Sequence, residues 1–141
     1  MIIENIHATA VAVGGRAILL LGKSGAGKSD LALRLIMNKN AVLIADDRVD
    51  IQSVNGVLKA SCPKNIQGLL EVRGIGLCKF PFLERADVAL AVLLTENAEE
   101  IERLPEKETI SFLQTEIPLI KLCPFEVSAA EKVIVACERR Q

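Results

Sequence analysis

The chain has 141 residues, half of them apolar and a quarter charged, and a net charge of −1. That is the balance of one globular domain with room for a core, while near-neutral charge, 3% aromatics and no Trp or Tyr argue against a basic, base-stacking nucleic-acid surface. The opening MIIENIHATA has no basic stretch followed by a long apolar run, so no signal peptide is predicted, no apolar run reaches the ~18 residues of a membrane span, and Cys62, Cys78, Cys123 and Cys137 are too widely spaced for a zinc site, so a reduced, cytoplasmic setting is predicted with neither membrane nor nucleic acid as partner.

Residues 2–6 begin an apolar segment, residues 8–13 (ATAVAV) read as a strand, and Gly14-Gly15 separates it from a second strand at 16–21 (RAILLL). A Gly-Gly pair between two such runs is a hairpin signal. The hairpin carries His7, the only histidine, away from the turn and towards the segment after Leu21; it reads either as a surface or satisfied core residue or as a group delivered to that point.

That segment is Gly22-Lys23-Ser24-Gly25-Ala26-Gly27-Lys28-Ser29, which fits G-x-x-x-x-G-K-[ST] at every fixed position. A strand before it and a helical pattern after it, at 30–39 (DLALRLIMNK), supply the setting of a phosphate-binding P-loop. Glycines let the backbone turn successive N–H groups onto an anion, and the helix opens beneath it with its positive dipole end. Lys28 would reach the β- and γ-phosphates, and the Ser29 hydroxyl would ligate a bridging Mg²⁺. In the helix, Leu31, Ala32, Leu35 and Ile36 share a core face, and Asn38-Lys39-Asn40 is an expected end.

Residues 41–45 (AVLIA) form a continuous apolar run, hence a buried strand. It delivers Asp46-Asp47 at its carboxyl end, where ligands bind in α/β sheets. One carboxylate can hold a metal or its water and the other can accept a proton from an attacking hydroxyl; a solvated turn is the plain alternative. Residues 48–54 and 57–60 read as strands joined by Asn55-Gly56, and Pro63 ends the second. Residues 68–73 (GLLEVR) read as a strand placing Glu71 and Arg73 on one face, a pattern that by itself fits a surface ion pair, and Gly74-Ile75-Gly76 comes next.

Residues 86–94 (ADVALAVLL) are the expected central strand. After it comes an acidic stretch, with a short helix predicted over 98–104 and stopped by Pro105. A last strand at 117–122 contains Pro118, which suits an edge. Ser128 is placed to cap a final helix over 129–140, whose Arg139 and Arg140 complement the dipole. The chain predicts one α/β domain, residues 1–141, built on a P-loop and a mixed sheet, with no repeat or linker.

Four stretches together resemble the HPr kinase/phosphorylase family: IHATAVAVGGRAILLLGKSGAGKS, with His7 ahead of the P-loop; IADDRVDI, with Asp46-Asp47; LLEVRGIGL around Glu71, which carries the family's E-[IV]-R-G-[IL]-G signature; and IERLP with Arg103. The match spans about residues 5 to 105 and implies an HPr-kinase/phosphoenolpyruvate-carboxykinase-like P-loop fold. It further implies an ATP- and Mg²⁺-dependent cytoplasmic enzyme that phosphorylates a seryl side chain of HPr, the phosphocarrier of the sugar phosphotransferase system, and can remove that phosphate by phosphorolysis. By this resemblance Asp47 is the base that takes the serine proton and the acid that returns one in reverse. Lys28, His7 and Arg103 would be active-site residues, and Ser29 and Glu71 would hold Mg²⁺; with Asp47 as the base, the reading of the strand-end pair leaves Asp46 as its metal-side carboxylate.

Family members carry an additional N-terminal domain, and the resemblance here starts almost at Met1, so the chain reads as a short form with the catalytic C-terminal domain alone. The family's arginine- and glycine-rich C-terminal loop and the helices after it serve phosphorolysis, HPr docking and a homo-oligomer, a hexamer; here CPFEVSAAEK and one short helix stand in their place. Two other readings share the P-loop: a small-molecule or phosphoenolpyruvate-carboxykinase-like kinase, and a nucleotide-sensing regulatory module with little turnover.

Overall fold

The computed structural model describes residues 2–140. In chain order the elements are β1 (Ile3–Ile6), β2 (Thr9–Val13), β3 (Arg16–Leu21), α1 (Lys28–Asn38), β4 (Val42–Ala45), β5 (Val49–Val54), β6 (Val57–Ser61), β7 (Leu69–Val72), β8 (Gly76–Lys79), β9 (Arg85–Leu94), β10 (Glu108–Phe112), β11 (Thr115–Leu122) and α2 (Ala129–Glu138), with 3₁₀ turns at Lys64–Ile66 and Ala98–Glu100. Nine strands join in one mixed sheet, and β7 pairs with β8 as a separate ribbon.

The expected hairpin is present: β2 runs antiparallel to β3 from Thr9 opposite Leu20 to Val13 opposite Arg16. β4 lies antiparallel on the other side of β2. β9 is the spine, as its apolar composition predicts. It pairs parallel with β3, parallel with β11 near its end, and antiparallel with β6 at its start. Asn55 and Gly56 both take positive φ, 52° and 78°, as the turn between β5 and β6 requires to follow the strand twist.

Side-chain alternation splits the interior into two cores. Val11, Val13, Ile18, Leu20 and Val92 face α1 and α2, meeting Leu31, Leu35, Ala129 and Val133. Ala10, Ala12, Leu19 and Ala91 face the other way and pack with Ile44, Ile51, Leu58 and Ile117. Since both faces of β2 and β3 are buried, their sequences are near-continuously apolar, and the one fully buried polar residue among them, Thr9, stands out.

Several expectations need correction. The run 41–45 is buried at Ala41, Leu43, Ile44 and Ala45, as expected, and departs from that only at Val42, which is exposed because β4 is the last strand on its side of the sheet. Only a 3₁₀ turn at Ala98–Glu100 replaces the helix over 98–104; Asn97 caps Glu99 N–H, and the acidic run has too few apolar residues to dock a longer helix. Arg73 lies in the turn after β7, not on its face with Glu71. β8 and β10 were not expected; β10 flanks the first half of β11, and Pro118 falls before the part of β11 that pairs with β9. α2 ends at Glu138, with Arg139 as its C-cap, and Ser128 is its N-cap residue without a side-chain capping bond.

All four cysteines are free thiols, and burial, reinforced by Asp50, pushes the Cys62 thiol up to about 11, which keeps it an uncharged core group at neutral pH. No helix among the described residues is long and apolar enough to cross a membrane.

Candidate active site

The position of β2 between two antiparallel neighbours creates the site. Its amino end lies beside the carboxyl ends of both β3 and β4, so residues 7–9 stand next to the P-loop on one side and Asp46-Asp47 on the other. Continuing the β2–β3 register by two residues sets His7 opposite Gly22.

The P-loop takes the conformation its glycines allow. Gly22, Gly25 and Gly27 have φ of 146°, 82° and 97°. Gly27 is the N-cap of α1, and a Cβ there would lie 3.3 Å from side-chain carbons of Pro124 and Phe125; positive φ and this close approach together require glycine. Lys28 is buried at the helix start, its Nζ donating to the carbonyls of Gly22 at 2.7 Å and Lys23 at 2.9 Å. Burial pulls its pKa down, while Asp47 and then Asp46 push it back up, the balance expected of an ammonium kept charged in a partly dry site.

Asp46 is buried and fully engaged. The Ser29 hydroxyl donates to its Oδ1 at 2.6 Å and the Thr9 hydroxyl to the same oxygen at 2.9 Å, while Glu71 N–H donates to Oδ2 at 3.1 Å. Thr9 Oγ1 also accepts from Asp47 N–H at 3.3 Å, using both capacities of a hydroxyl. Asp47 behaves oppositely: its side chain is 70% exposed, and its Oδ1 lies 2.9 Å from His7 Nε2. Its φ is +70°, and Arg48 N–H donates to the Asp46 carbonyl at 2.8 Å, closing a three-residue turn of the strained γ type. Strain of this kind persists where the surroundings over-determine it, and it clusters at functional sites.

A cleft of about 540 Å³ opens over these groups. Of the predicted residues, His7, Ser24, Gly25, Gly27, Lys28, Ser29, Asp47 and Glu71 line it. Asp46 lies beneath, and Gly22, Lys23 and Ala26 complete the loop without lining the cleft. Arg103 lies in the exposed loop before β10 and is not brought to the cleft. A second hollow, about 470 Å³, between the 100–108 loop and β11, is lined by both acids and bases. Thr9, Arg73 and Phe125 belong to the site and were not predicted there. Thr9 had a signal, being the one polar residue inside ATAVAV; Phe125 had none.

Among the described residues no cluster of three or more His, Cys, Asp or Glu is placed to hold a metal. This fits Mg²⁺ rather than opposing it, because Mg²⁺ beside a nucleotide takes one or two protein ligands and fills its octahedron with phosphate and water. Asp46 joined to the P-loop hydroxyl, with Glu71 beside it, offers that partial set. Asp46→Ala should lower stability by about 1–3 kcal/mol for each buried donor it orphans, read as a lower midpoint in urea unfolding; an unchanged midpoint would show that the carboxylate does not tie β2, α1 and β7 together.

The chain matches the family model "HPr Serine kinase C-terminal domain" over residues 2–139. It is 35% identical over 127 residues to the HPr kinase/phosphorylase of Brevibacillus brevis, covering 82% of this chain and 40% of that protein. It is 50% identical over 73 residues to one from Clostridium botulinum, covering 52% of this chain and 24% of that protein. The chain therefore spans at most about two-fifths of the length of these relatives. The solved Hpr(Ser) kinase/phosphatase of Coxiella burnetii superimposes with a TM-score of 0.80 at 24% identity, over 92% of this chain and 91% of that one, which establishes the shared fold.

Proposed function

The chain belongs to the HPr serine kinase C-terminal domain family, and from that premise we propose that it is an ATP- and Mg²⁺-dependent cytoplasmic kinase that phosphorylates a seryl hydroxyl of the phosphocarrier HPr. The observation that carries the reading is the division of labour in the carboxylate pair. Asp46 is buried and bonded to the P-loop Ser29, while Asp47 is exposed at the cleft and held by His7.

Positioning and charge neutralisation supply most of the rate in phosphoryl transfer. The N–H groups of the P-loop and the start of α1 bind the phosphates. Lys28 turns from the Gly22 and Lys23 carbonyls to the β- and γ-phosphates. Ser29, Asp46 and Glu71 would hold Mg²⁺, which when bound neutralises charge on the phosphate oxygens. His7 Nε2 fixes the Asp47 carboxylate. Asp47 takes the serine proton as the seryl oxygen bonds to the γ-phosphorus and the bond to the ADP oxygen breaks; the proton then leaves to solvent. In phosphorolysis Asp47 returns a proton to the serine oxygen as inorganic phosphate takes the phosphoryl group. The 70% exposure of the Asp47 side chain suits a hydroxyl presented by another protein better than a small substrate, which needs enclosure from water.

The test is intact-mass spectrometry of HPr incubated with this protein, ATP and Mg²⁺. One added phosphate, absent when Mg²⁺ is omitted, is the expected result. An unmodified HPr with nucleotide binding intact would overturn the substrate assignment.

A further inference from the structure

Phe125 is the most exposed of the four phenylalanines, at 62%, yet it lines the cleft and its ring lies against the P-loop. An apolar ring held open to solvent at a binding cleft carries a cost that a ligand would remove. We propose that Phe125 is the stacking platform for the base of the bound nucleoside triphosphate, an assignment that rests on the phosphate-site reading.

The direction of the cleft supports this. Ser29 faces Asp46, whereas Arg34 reaches the 123–126 loop, its Nη2 donating to the Pro124 carbonyl and its Nη1 to that of Glu126 at 3.4 Å. Five residues apart on α1, these side chains leave the axis about 140° apart. Asp46, with Asp47 after it and the Glu71 backbone N–H bonded to it, thus stands on one side of the helix start, and Gly27, Pro124 and Phe125 on the other. With the γ-phosphate beside Asp47, the nucleoside end of the molecule leads away from the carboxylates and past Gly27, to the ring of Phe125.

The platform is preorganised. Besides the two bonds from Arg34, Glu126 N–H donates to the Cys123 carbonyl at 3.3 Å, and Lys132 Nζ lies 2.9 Å from both Glu126 carboxylate oxygens. The loop loses little entropy when a base arrives. The charged neighbour of Phe125 in this loop, Glu126, has its carboxylate paired with Lys132, and stacking tolerates any base. ATP and GTP should therefore bind with similar affinity and depend on Phe125 alike.

Calorimetric titration of the wild type, Phe125→Ala and Phe125→Leu with ATP, GTP and inorganic tripolyphosphate, each with Mg²⁺, tests this. Expected are losses of about tenfold or more for both nucleotides in the Ala variant, a smaller loss in the Leu variant, and unchanged tripolyphosphate binding in both. Equal losses for nucleotides and tripolyphosphate, or no loss for any ligand, would overturn the platform while leaving the phosphate site intact. Failure of the wild type to bind any of the three would overturn the phosphate site and this proposal with it. As the chain lacks Trp, Phe125→Trp gives a single fluorophore at the site, whose emission should change with ATP and not with tripolyphosphate; the reverse pattern would refute stacking.

Discussion

An Asp47→Asn protein is expected to bind ATP as the parent does and to phosphorylate HPr about 10²–10⁴-fold more slowly, the usual worth of a positioned general base. The substitution is close to isosteric. An amide oxygen can keep the contact with His7 Nε2, and asparagine tolerates the positive φ of +70° found at this position. It removes the ability to take the serine proton. The comparison is single-turnover transfer to HPr, read by intact mass, with nucleotide affinity measured in parallel. A rate within a few-fold of the parent would sink the base assignment, whatever happened to binding. Because Asp46 is sealed by Ser29, Thr9 and Glu71 N–H, it cannot substitute from its place beneath the cleft.

Lys28→Ala is expected to weaken ATP binding about 10–100-fold, the loss of a charge-assisted contact in a partly dry site, and to slow transfer by a further factor of about 10²–10³. The melting temperature should nevertheless hold. Burial lowers the Lys28 pKa, so below its folded pKa the charged ammonium disfavours the folded state relative to the unfolded chain, and deleting it relieves that cost even as two carbonyls lose their donor. Calorimetry and a thermal scan on the same variant separate the two effects. Unchanged ATP affinity would refute the P-loop role, whereas a collapse in melting temperature would show that Lys28 acts as a structural strut through Gly22 and Lys23.

Much of the site was legible because it is local. Eight consecutive residues specify the P-loop, since glycine positions and the helix after them determine where N–H groups point. Gly14-Gly15 and Asn55-Gly56 specify their turns through φ, and the apolar run at 42–45 specifies where a strand end presents Asp46-Asp47. Other elements lacked such signals. The turn between β10 and β11 uses Leu113 and Gln114 at φ of 50° and 63°, residues that carry no turn propensity, so the hairpin was invisible. The helix expected over 98–104 failed because propensity without an apolar face gives a short segment nothing to dock against.

The sequence by itself determined the glycine-rich strand-to-helix turn at 22–29 and which strand end bears carboxylates, because backbone geometry and side-chain alternation act over a few residues. Only the tertiary structure decided which carboxylate is buried and which is free, that His7 meets Asp47 across 40 residues of chain, that Thr9 bonds both aspartates, and that Phe125 closes on Gly27. Those contacts depend on β2 being threaded between β3 and β4 and on β11 returning beside β9. Strand order and register are set by how the whole core packs, and no stretch of local sequence encodes them.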